Sequence, residues 1–512
     1  MALSAPLIAQ VSFGGHPVGI SKSTLLPVAP LSVMPEVDAE ALMAEDAERT
    51  AQGIKGPYRF GFNHMVDLSL ENSGGWQTLS NGDGVWRIAI QCPGAFSINF
   101  EFNDYVVPEG GQVFVYNEAG EVLGAFTAES NPGHHELGVT QLAGDRITVE
   151  YVEPANVRGQ GSLRIGQVTH AYRDIMHMNY AKGLGDSGSC NNNVICPEGD
   201  PWRDQIRSVA MITVGGQGIC TGQLINNCAN NGTPYFLTAN HCLGGNNTWV
   251  FRFNWNSPTC ATTTNGPTNN TVSGSTLKTS SQNSDMALLQ LNATPPAGYN
   301  VFYTGWDATG TTPTSSTCIH HPSGDIKKIS FDNNPATQSP VTIGYTAQCW
   351  KIANWEDGTT EGGSSGSGLW NQNGLLIGQL FGGQASCSNN VNDYFGRFNV
   401  SLPLLTTWLG TCGTTLQGYP VSTSVADQQD VNALTIAPNP TNGTLNVTIP
   451  AAMRNGGRLM VYDALGQVVM NATVRNGAER MTIDLGDRTE GIYLMEAIAD
   501  GFRKVERIVL NR

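Results

Sequence analysis

The chain is poor in charged residues, since Asp, Glu, Lys and Arg make up only 13% of its 512 residues. Acidic residues outnumber basic ones by 42 to 27, so the formal net charge is −15 and no basic patch for nucleic acid is expected. No apolar run reaches the roughly 18 residues of a membrane-spanning helix, and the H-E-x-x-H motif of zinc proteases is missing. We therefore expect no nucleic acid, no membrane span, no metal and no other cofactor.

Two pairs of adjacent histidines, His134–His135 and His320–His321, are the remaining candidates for a metal site. Adjacent residues of a strand point to opposite faces of a sheet, so neither pair could hold one ion together. We discount both pairs as metal ligands.

Cysteine is plentiful, and ten of the 11 cysteines fall between positions 190 and 412. Their spacings contain no C-x-x-C pair of the kind found in zinc sites. Such density in a chain of low charge indicates disulfides in an oxidising compartment, with buried free thiols as the alternative. The cysteines are Cys92, Cys190, Cys196, Cys220, Cys228, Cys242, Cys260, Cys318, Cys349, Cys387 and Cys412.

Glycine is also abundant, at 60 residues, together with many Thr, Asn and Ser residues. This composition is typical of an all-β secreted protein, and the length suggests three or four domains. Apolar and polar residues alternate over Val85–Ile90, Ile98–Phe102 and Ile147–Tyr151. The period of two predicts a β-sandwich between about 55 and 170.

The run Thr359–Gly368 places three candidate nucleophiles, Ser364, Ser365 and Ser367, among glycines. A serine that attacks a carbonyl needs open backbone around it, so that backbone N–H groups can reach the oxyanion. Taken alone, such a run is more often a flexible loop or linker. Its function therefore depends on the residues that accompany it.

Two residues could activate one of these serines. His241 follows the apolar segment Pro234–Ala239, and Asp285 stands at the head of the apolar segment Met286–Leu291. Each residue alone would more often have a structural role. Together, in the order His, Asp, Ser, they fit the base, the orienting carboxylate and the nucleophile of acyl transfer.

These segments resemble chymotrypsin-like serine proteases, and within that class they are most similar to bacterial lysyl endopeptidases. The resemblance spans about 183–412 and implies a double β-barrel with a short C-terminal helix, for which Leu402–Leu409 has helical spacing. The segments that carry it are Leu237–Cys242, Ser284–Leu289, Thr360–Ser367, Ser187–Cys190 and Val194–Asp200.

The resemblance assigns a role to each catalytic candidate. Ser365 would be the nucleophile, His241 the general base and later acid, and Asp285 the residue that orients the base. The backbone N–H groups of Gly363 and Ser365 would form the oxyanion hole. Ser364 stands where the trypsin branch carries an aspartate that pairs with a newly freed amino terminus, so that activation switch is absent.

The resemblance also implies three disulfides, Cys190–Cys387, Cys196–Cys260 and Cys220–Cys242. The first would anchor the mature amino-terminal segment beside the substrate pocket, a task that the missing aspartate cannot perform. Among the remaining cysteines the sequence does not fix the pairing. Our expectation is Cys318–Cys349 and Cys228–Cys412, with Cys92 unpaired.

Substrate preference is expected to depend on the segment Asn392–Arg397, which matches the family stretch with the lysine-binding aspartate. Asp393 is therefore the candidate for the base of the specificity pocket. The segment Gly378–Gly383 resembles the pocket-edge strand and makes Phe381 and Gly382 candidate substrate-binding residues. These features predict cleavage after basic residues, lysine preferred, with arginine or another preference left open.

One position in this pocket departs from the family. Phe381 stands where lysyl endopeptidases carry a histidine that stacks with a tryptophan. Trp350 and Trp355 are near in sequence, but neither can be assigned as that tryptophan.

A second resemblance begins at residue 433, to the C-terminal sorting domain of the type IX secretion system. It implies a small β-sandwich that directs export across the outer membrane of a Gram-negative cell. The segments that carry it are Ala437–Gly443, Val461–Gly466, Gly491–Leu494 and Arg503–Arg507.

We therefore expect five segments. Residues 1–20 would be the remnant of a signal peptide and 21–182 a β-rich propeptide that assists folding and blocks the cleft, or a binding module that stays attached. Residues 183–415 would be the protease, 416–432 a linker, and 433–512 the sorting domain. Lys182, just before the family's mature start, is a candidate site of self-processing.

The predicted function is that of a secreted, monomeric serine endopeptidase acting on proteins or peptides through an acyl-enzyme. Its partners would be these substrates and the type IX secretion machinery, at the surface or outside of a Gram-negative cell. The alternatives are a serine protease of different specificity and a non-catalytic binding or adhesion protein on the same fold.

Overall fold

The structure is a computed structural model that describes most of the chain. It divides into two compact units, Met1–Val421 and Ser422–Arg512. Among the described residues no helix is long and apolar enough to cross a membrane. The described residues are 14–21, 26–51, 56–176, 187–261, 265–420, 434–449, 453, 456–463, 466–478, 480–499 and 502–511.

In the described residues of its first part, the larger unit has eleven strands and one α-helix. Helix α1 spans Ala39–Ala51. The strands are β1 (Leu31–Val33), β2 (Tyr58–Arg59), β3 (Gly61–Ser69), β4 (Gly75–Thr78), β5 (Gly84–Gln91), β6 (Ser97–Val106), β7 (Gln112–Asn117), β8 (Val122–Phe126), β9 (Leu137–Ala143), β10 (Arg146–Glu153) and β11 (Ser162–Ala171).

These strands, apart from β2, form the expected β-sandwich. One sheet has the order β1-β5-β10-β7-β8, with β4 also paired to β5, and the other has the order β3-β11-β6-β9. Trp86, Phe100 and Tyr151 are buried in the core between them. The alternation over Val85–Ile90 places every second side chain in that core, which is why the sandwich could be predicted.

Helix α1 was not predicted. Its sequence is rich in Ala, Glu, Leu and Met, which favour helices, and Asp38 Oδ1 accepts a hydrogen bond from the Ala41 N–H at 3.0 Å near its start. The prediction missed it because strand patterns dominate the surrounding residues.

Two further observations concern earlier expectations for this part. Within the segment 1–20, expected to be a signal-peptide remnant, Glu150 accepts hydrogen bonds from the N–H groups of Val18 and Gly19 at 2.5 and 2.8 Å. His134 and His135 lie in a turn, with His135 at φ 51°, so the argument from opposite faces of a strand does not apply to them.

The second part of the larger unit holds the predicted protease. Its helices are α2 (Arg203–Ser208) and α3 (Phe398–Leu409). Its strands are β12 (Asn192–Asn193), β13 (Val209–Val214), β14 (Gly218–Leu224), β15 (Tyr235–Ala239), β16 (Val250–Phe253), β17 (Thr271–Ser273), β18 (Ser275–Ser281), β19 (Met286–Leu291), β20 (Phe302–Tyr303), β21 (Trp306–Asp307), β22 (Ser316–His320), β23 (Lys328–Asp332), β24 (Thr337–Ile343), β25 (Tyr345–Asn354), β26 (Gly368–Asn371), β27 (Leu376–Gly383), β28 (Val391–Arg397), β29 (Thr415–Leu416) and β30 (Tyr419–Pro420).

Two large, mainly antiparallel sheets correspond to the two expected barrels. The first has the order β17-β16-β13-β14-β15-β19-β18, and β2 of the preceding part pairs with its strand β14. The second has the order β12-β23-β22-β26-β27-β28-β25-β24, with β21 and β29 at its side. The predicted C-terminal helix is present as α3, which begins four residues before the predicted Leu402. The prediction of an all-β chain with a double-barrel protease is confirmed.

The predicted linker begins too early. Strand β29 pairs with β21 and strand β30 pairs with β20, so residues 415–420 still belong to the protease part. Their backbone groups are used in sheet pairing, which a sequence without clear periodicity did not indicate. The later residues of the linker lie outside the described residues, as does Lys182.

The protease part contains four disulfides. Those implied by the resemblance are present, Cys190–Cys387, Cys196–Cys260 and Cys220–Cys242, and Cys228–Cys412 is also present. The expected Cys318–Cys349 bond is wrong, because both residues are buried free thiols, as is Cys92. Cys318 lies on β22 and Cys349 on β25, with β26, β27 and β28 between them in the sheet, whereas a disulfide needs Cα atoms within about 7 Å.

The described residues of the smaller unit form a β-sandwich of seven strands. One sheet has the order β31-β32-β35 and the other β34-β33-β36-β37, around a core that includes Leu445, Val461 and Met495. The strands are β31 (Thr435–Ala437), β32 (Thr444–Thr448), β33 (Gly457–Tyr462), β34 (Val468–Val474), β35 (Arg480–Asp484), β36 (Gly491–Ala499) and β37 (Phe502–Leu510).

Candidate active site

The pairing of two neighbouring strands brings His241 and Asp285 together. In the antiparallel pair β15·β19, Ala239 lies opposite Met286. His241 follows Ala239 by two residues and Asp285 precedes Met286 by one, so both residues leave the sheet at the same end. The two apolar segments found in the sequence thus position both side chains.

The carboxylate of Asp285 holds His241 through two hydrogen bonds. Oδ2 lies 2.9 Å from His241 Nδ1, and Oδ1 accepts the His241 backbone N–H at 3.0 Å. The Asp285 side chain is fully buried, and that of His241 is 8% exposed. This geometry fixes the ring and favours the tautomer with the proton on Nδ1, which leaves Nε2 as the base.

Asp285 is held in an unusual backbone conformation, with φ 47° and ψ 41°. A non-glycine residue in the left-handed region needs support from its surroundings. The Gln379 side-chain amide supplies such support, because Nε2 donates to the carbonyls of Ser284 at 2.6 Å and Asp285 at 3.2 Å. The first barrel supplies the carboxylate, and strand β27 of the second barrel fixes its position.

Tyr345 is a further partner of the same carboxylate. Its hydroxyl donates to Asp285 Oδ1 at 2.5 Å, and its ring stacks on Phe381 with centroids 5.2 Å apart. The centroid of Phe381 lies 6.0 Å from that of His241. Burial and then the charge of Asp285 raise the pKa of the Tyr345 hydroxyl above its ordinary value, so it remains a donor.

The three candidate serines differ sharply in accessibility. Ser364 and Ser367 are fully buried, and their hydroxyls contact His320 Nδ1 at 2.7 Å and Cys318 Sγ at 3.2 Å. Ser365 is half-buried and lines a cavity of the site. Of the three serines, Ser365 is therefore the accessible one, and its hydroxyl makes no hydrogen bond among the described residues.

The link between base and nucleophile is not formed in this structure. His241 Nε2 is buried and makes no hydrogen bond among the described residues. The nucleophile segment is nevertheless tied to the histidine's barrel, because the Thr221 N–H donates to the Ser365 carbonyl at 2.8 Å. Catalytic hydrogen bonds are often long without substrate and shorten in the reactive complex.

The backbone around Ser365 leaves room for an oxyanion. Gly363 has φ 89°, and a Cβ there would lie 2.8 Å from the His321 carbonyl oxygen, so only glycine fits this conformation and approach. Within the described residues, neither Gly363 nor Ser365 uses its N–H in a backbone hydrogen bond. Both amides are available to an incoming oxygen.

His320 supports the loop that contains Ser364, the position where the resemblance places an aspartate in the trypsin branch. Ser364 Oγ lies 2.7 Å from His320 Nδ1, and the ring's Nε2 lies 3.2 Å from Ser330 Oγ. Burial lowers the pKa of His320 to about 3, so the imidazole is neutral at ordinary pH. A neutral buried network thus holds Ser364 in place of an ion pair.

The segment at the predicted mature start is attached to the same loop. Glu361 Oε1 accepts the Gly188 N–H at 2.8 Å and the Asn191 side-chain amide at 2.9 Å. The Cys190–Cys387 disulfide ties this segment to the loop between β27 and β28. The disulfide and Glu361 together anchor the segment beside the cavity that Ser365 lines.

Asp393 lines a cavity of about 1310 Å³ together with Ser365 and Gly382, and Tyr58 and Arg59 of the N-terminal part line the same cavity. Its side chain is 1% exposed, and Oδ2 accepts hydrogen bonds from Trp355 Nε1 at 2.7 Å and Thr360 Oγ1 at 2.6 Å. Both of these donors are neutral groups that hold the carboxylate in place. A cation entering the cavity would meet the charge of that carboxylate.

Phe381 and the two tryptophans have roles that the sequence did not show. Phe381 is not among the residues that line this cavity; it packs behind His241, where it stacks on Tyr345 and not on a tryptophan. Trp355 holds Asp393, whereas Trp350 donates to the Ile377 carbonyl at 3.1 Å. The sequence analysis missed Tyr345 and Thr360, which no motif distinguishes.

Comparison with known proteins identifies the two parts of the chain that carry motifs. Residues 184–396 match the family described as lysyl endopeptidase, C-terminal domain, and residues 435–511 match the secretion system C-terminal sorting domain. The resemblance to lysyl endopeptidases and to the sorting domain is thus confirmed, and the sorting domain marks the chain as a secreted protein.

Among individual proteins, a lysyl endopeptidase of Pseudomonas aeruginosa is 35% identical over 286 residues, which are 50% of this chain and 60% of that protein. The chain therefore spans less than two thirds of this relative. Similar solved structures include a Glu endopeptidase, with 17% identity, a TM-score of 0.29 and coverage of 44% of this chain and 99% of that one. A Cellulomonas bogoriensis chymotrypsin has 20% identity, a TM-score of 0.24 and coverage of 39% and 92%.

Proposed function

We propose that this chain is a secreted serine endopeptidase that hydrolyses peptide bonds through an acyl-enzyme. The observation that carries the proposal is the His241–Asp285 pair beside Ser365, the one accessible serine of its run. The lysyl endopeptidase match over residues 184–396 supports it independently.

The site contains a group for each step of acyl transfer. Ser365 Oγ attacks the substrate carbonyl while His241 Nε2 takes its proton, and Asp285 stabilises the imidazolium that forms. The N–H groups of Gly363 and Ser365 receive the oxyanion. His241 then gives the proton to the leaving amine, and water, activated by the same nitrogen, releases the acyl group.

We propose that the Asp393 cavity receives the side chain that precedes the scissile bond and selects a basic residue. A buried carboxylate that Trp355 and Thr360 hold by neutral hydrogen bonds can form an ion pair with a cation that enters the cavity. Lysine is our preferred substrate residue, because the matched family is named for it.

The organisation of the chain completes the proposal. Residues 21–182 would be a propeptide that is removed after folding, and the last unit would pass the chain to a type IX secretion machinery in the outer membrane of a Gram-negative cell. The protease would act on proteins and peptides as a monomer. The sorting-domain match over residues 435–511 supports the export route.

The first experiment tests the nucleophile. A fluorophosphonate probe should label the purified protein at Ser365, and Ser365→Ala should abolish both labelling and peptide cleavage while secretion continues. Ser367→Ala is the matched control, since it removes another hydroxyl of the same run and should keep the label. Cleavage by Ser365→Ala would refute the assignment, and absence of labelling throughout would favour a non-catalytic binding protein.

The second experiment tests the specificity. A denatured protein is digested, and the residue before each cut is read by mass spectrometry. Cuts after lysine support the proposal, cuts after arginine as well broaden it to basic residues, and cuts after apolar residues remove Asp393 from the pocket.

A further inference from the structure

A short strand of the N-terminal part lies on the wall of the candidate active site. Strand β2 pairs antiparallel with β14, with Tyr58 opposite Ile219 and Arg59 opposite Gly218. The Phe60 N–H continues the ladder to the Gln217 carbonyl at 2.9 Å. The N-terminal part thus adds a strand to the first barrel, the way an extended peptide is bound at a sheet edge.

The same strand β14 also positions the nucleophile. Its Thr221 N–H donates to the Ser365 carbonyl at 2.8 Å, while the next amide, Gly366 N–H, donates to the Leu380 carbonyl of β27 at 2.9 Å. Ser365 therefore bridges β14 on one side and β27 on the other. Asp393 belongs to the β27–β28 side, so β2 occupies the opposite side of the serine.

This arrangement gives β2 the position of a substrate's downstream half. A peptide whose basic side chain meets Asp393 and whose scissile bond lies at Ser365 would continue towards β14, because the backbone at Ser365 is bonded to β14 and that of the next residue to β27. Ile219 and Thr221 are two residues apart, or about 7 Å along a strand. The substrate residues after the scissile bond would therefore pair with the part of β14 that β2 pairs with in this structure.

Tyr58 fits closely against the loop that carries the oxyanion-hole amides. A Cβ on Gly362 would lie 3.0 Å from Tyr58 Cδ2, and one on Gly324 would lie 3.7 Å from Cδ1. Pro57 packs closely against β14: a Cβ added to Gly218 would lie 2.7 Å from the Cβ of Pro57. Glycine at these positions makes room for the ring and for the strand.

Helix α1 holds this segment in place. Asp46 accepts hydrogen bonds from Arg59 Nε at 2.8 Å, from Arg173 at 2.9 Å and from the Tyr172 hydroxyl at 2.7 Å. These donors lower the pKa of Asp46 below its ordinary value despite its burial. The Arg173 guanidinium also lies over the Tyr58 ring, 5.2 Å from its centroid.

We propose that β2 is a substrate-like inhibitor that occupies the downstream subsites of the cleft, and that Tyr58 fills a subsite formed by Gly324, Gly362 and Ile219. Two consequences follow. The intact chain is inactive towards peptides because these subsites are filled, and the enzyme without its N-terminal part prefers substrates with an aromatic residue shortly after the scissile bond. The inference rests on the proposed protease function.

The intact chain provides the first test, with its integrity verified by mass spectrometry before and after each assay. Peptide hydrolysis by the intact chain should rise about tenfold in Tyr58→Ala and stay low in Tyr58→Phe, which keeps the ring. Phe62→Ala is the matched control, since it removes a 39% exposed aromatic side chain of the adjacent strand β3 and should leave the rate low. Equal rates in wild type and Tyr58→Ala would overturn the inhibitory role.

A second test does not depend on folding of the variant. The peptide acetyl-Gly-Pro-Tyr-Arg-Phe-amide, which copies 56–60, is added to the self-processed enzyme. It should inhibit cleavage of a long peptide competitively and at least tenfold more strongly than the same peptide with alanine for tyrosine. Substrates in which one tyrosine is moved through the positions after the lysine should show one preferred position. Equal inhibition by both peptides, or no preferred position, would overturn the subsite.

Failure of this inference can be separated from failure of the proposed function. A fluorophosphonate labels Ser365 without any downstream residue. Labelling and peptide cleavage after processing, together with full activity of the intact chain, would refute the inhibitory strand alone. No labelling of any form would refute the protease function, and the inference with it.

Discussion

The hydroxyl of Tyr345 offers a sensitive test of how the catalytic carboxylate is held. Asp285 is fully buried, and three donors reach it: His241 Nδ1 at 2.9 Å, the His241 backbone N–H at 3.0 Å and the Tyr345 hydroxyl at 2.5 Å. Tyr345→Phe deletes only the third donor. The ring that stacks on Phe381 remains.

The expected loss follows from the charge of the acceptor. A hydrogen bond to a charged group contributes about 1.5–3 kcal/mol, and each 1.36 kcal/mol changes a rate by about tenfold. If this free energy is lost from the transition state, because His241 is less well oriented there, kcat/KM should fall by about 10- to 100-fold. The decrease should lie in kcat, because Tyr345 is not among the residues that line the substrate cavity.

Steady-state kinetics on a lysyl peptide would measure both constants for Tyr345→Phe. The matched control is Tyr394→Phe, since Tyr394 is another half-buried tyrosine packed against the same apolar cluster. The control should keep wild-type kcat. An unchanged kcat in Tyr345→Phe, or an equal decrease in both variants, would show that the hydroxyl does not orient the catalytic pair.

Three further predictions concern other parts of the molecule. Asp393→Asn keeps the size of the side chain but removes its charge, so kcat/KM for lysyl substrates should fall at least 100-fold. Fluorophosphonate labelling of Ser365 should persist in this variant. Unchanged lysine cleavage would exclude Asp393 as the group that selects lysine. Replacing Cys190 and Cys387 together by serine should lower the free energy of unfolding by about 2–4 kcal/mol, and chemical denaturation that shows no change would contradict this anchoring role. Burial raises the pKa of Glu101 to about 7 from its ordinary value of 4.5. The folded chain therefore keeps a proton that the unfolded chain releases, stability should fall as pH rises from about 4.5 to about 7, and Glu101→Gln should flatten this fall in thermal unfolding scans.

Strand alternation and local motifs were enough to predict much of the fold. The period of two in Val85–Ile90 gave the sandwich, and the apolar segments on either side of the His and Asp motifs gave β15 and β19. These patterns are local, because a strand with one buried face repeats every two residues. Helix α1 was missed although its composition favours a helix, because strand patterns dominate the surrounding residues; its contacts with Arg59 and Arg173 join residues distant in sequence.

The cysteines show where local information ends. Resemblance to a family supplied three pairs, but the expected Cys318–Cys349 bond was wrong because three strands lie between β22 and β25. Sequence separation carries no information about how many strands intervene in a sheet. The same limit applies to the aromatic partner of Phe381, which is Tyr345 and not a tryptophan.

The sequence by itself determined which residue types could perform the chemistry: a serine among glycines, a histidine and an aspartate beside apolar strands, and an acidic candidate for the pocket. Tertiary structure decided which of the three serines is accessible, because Ser364 and Ser367 are buried by contacts from β22. It also decided what surrounds the site, through Tyr345 on Asp285 and β2 on β14. These contacts join residues that are far apart in the chain, so their existence depends on sheet order and packing, which no local pattern encodes.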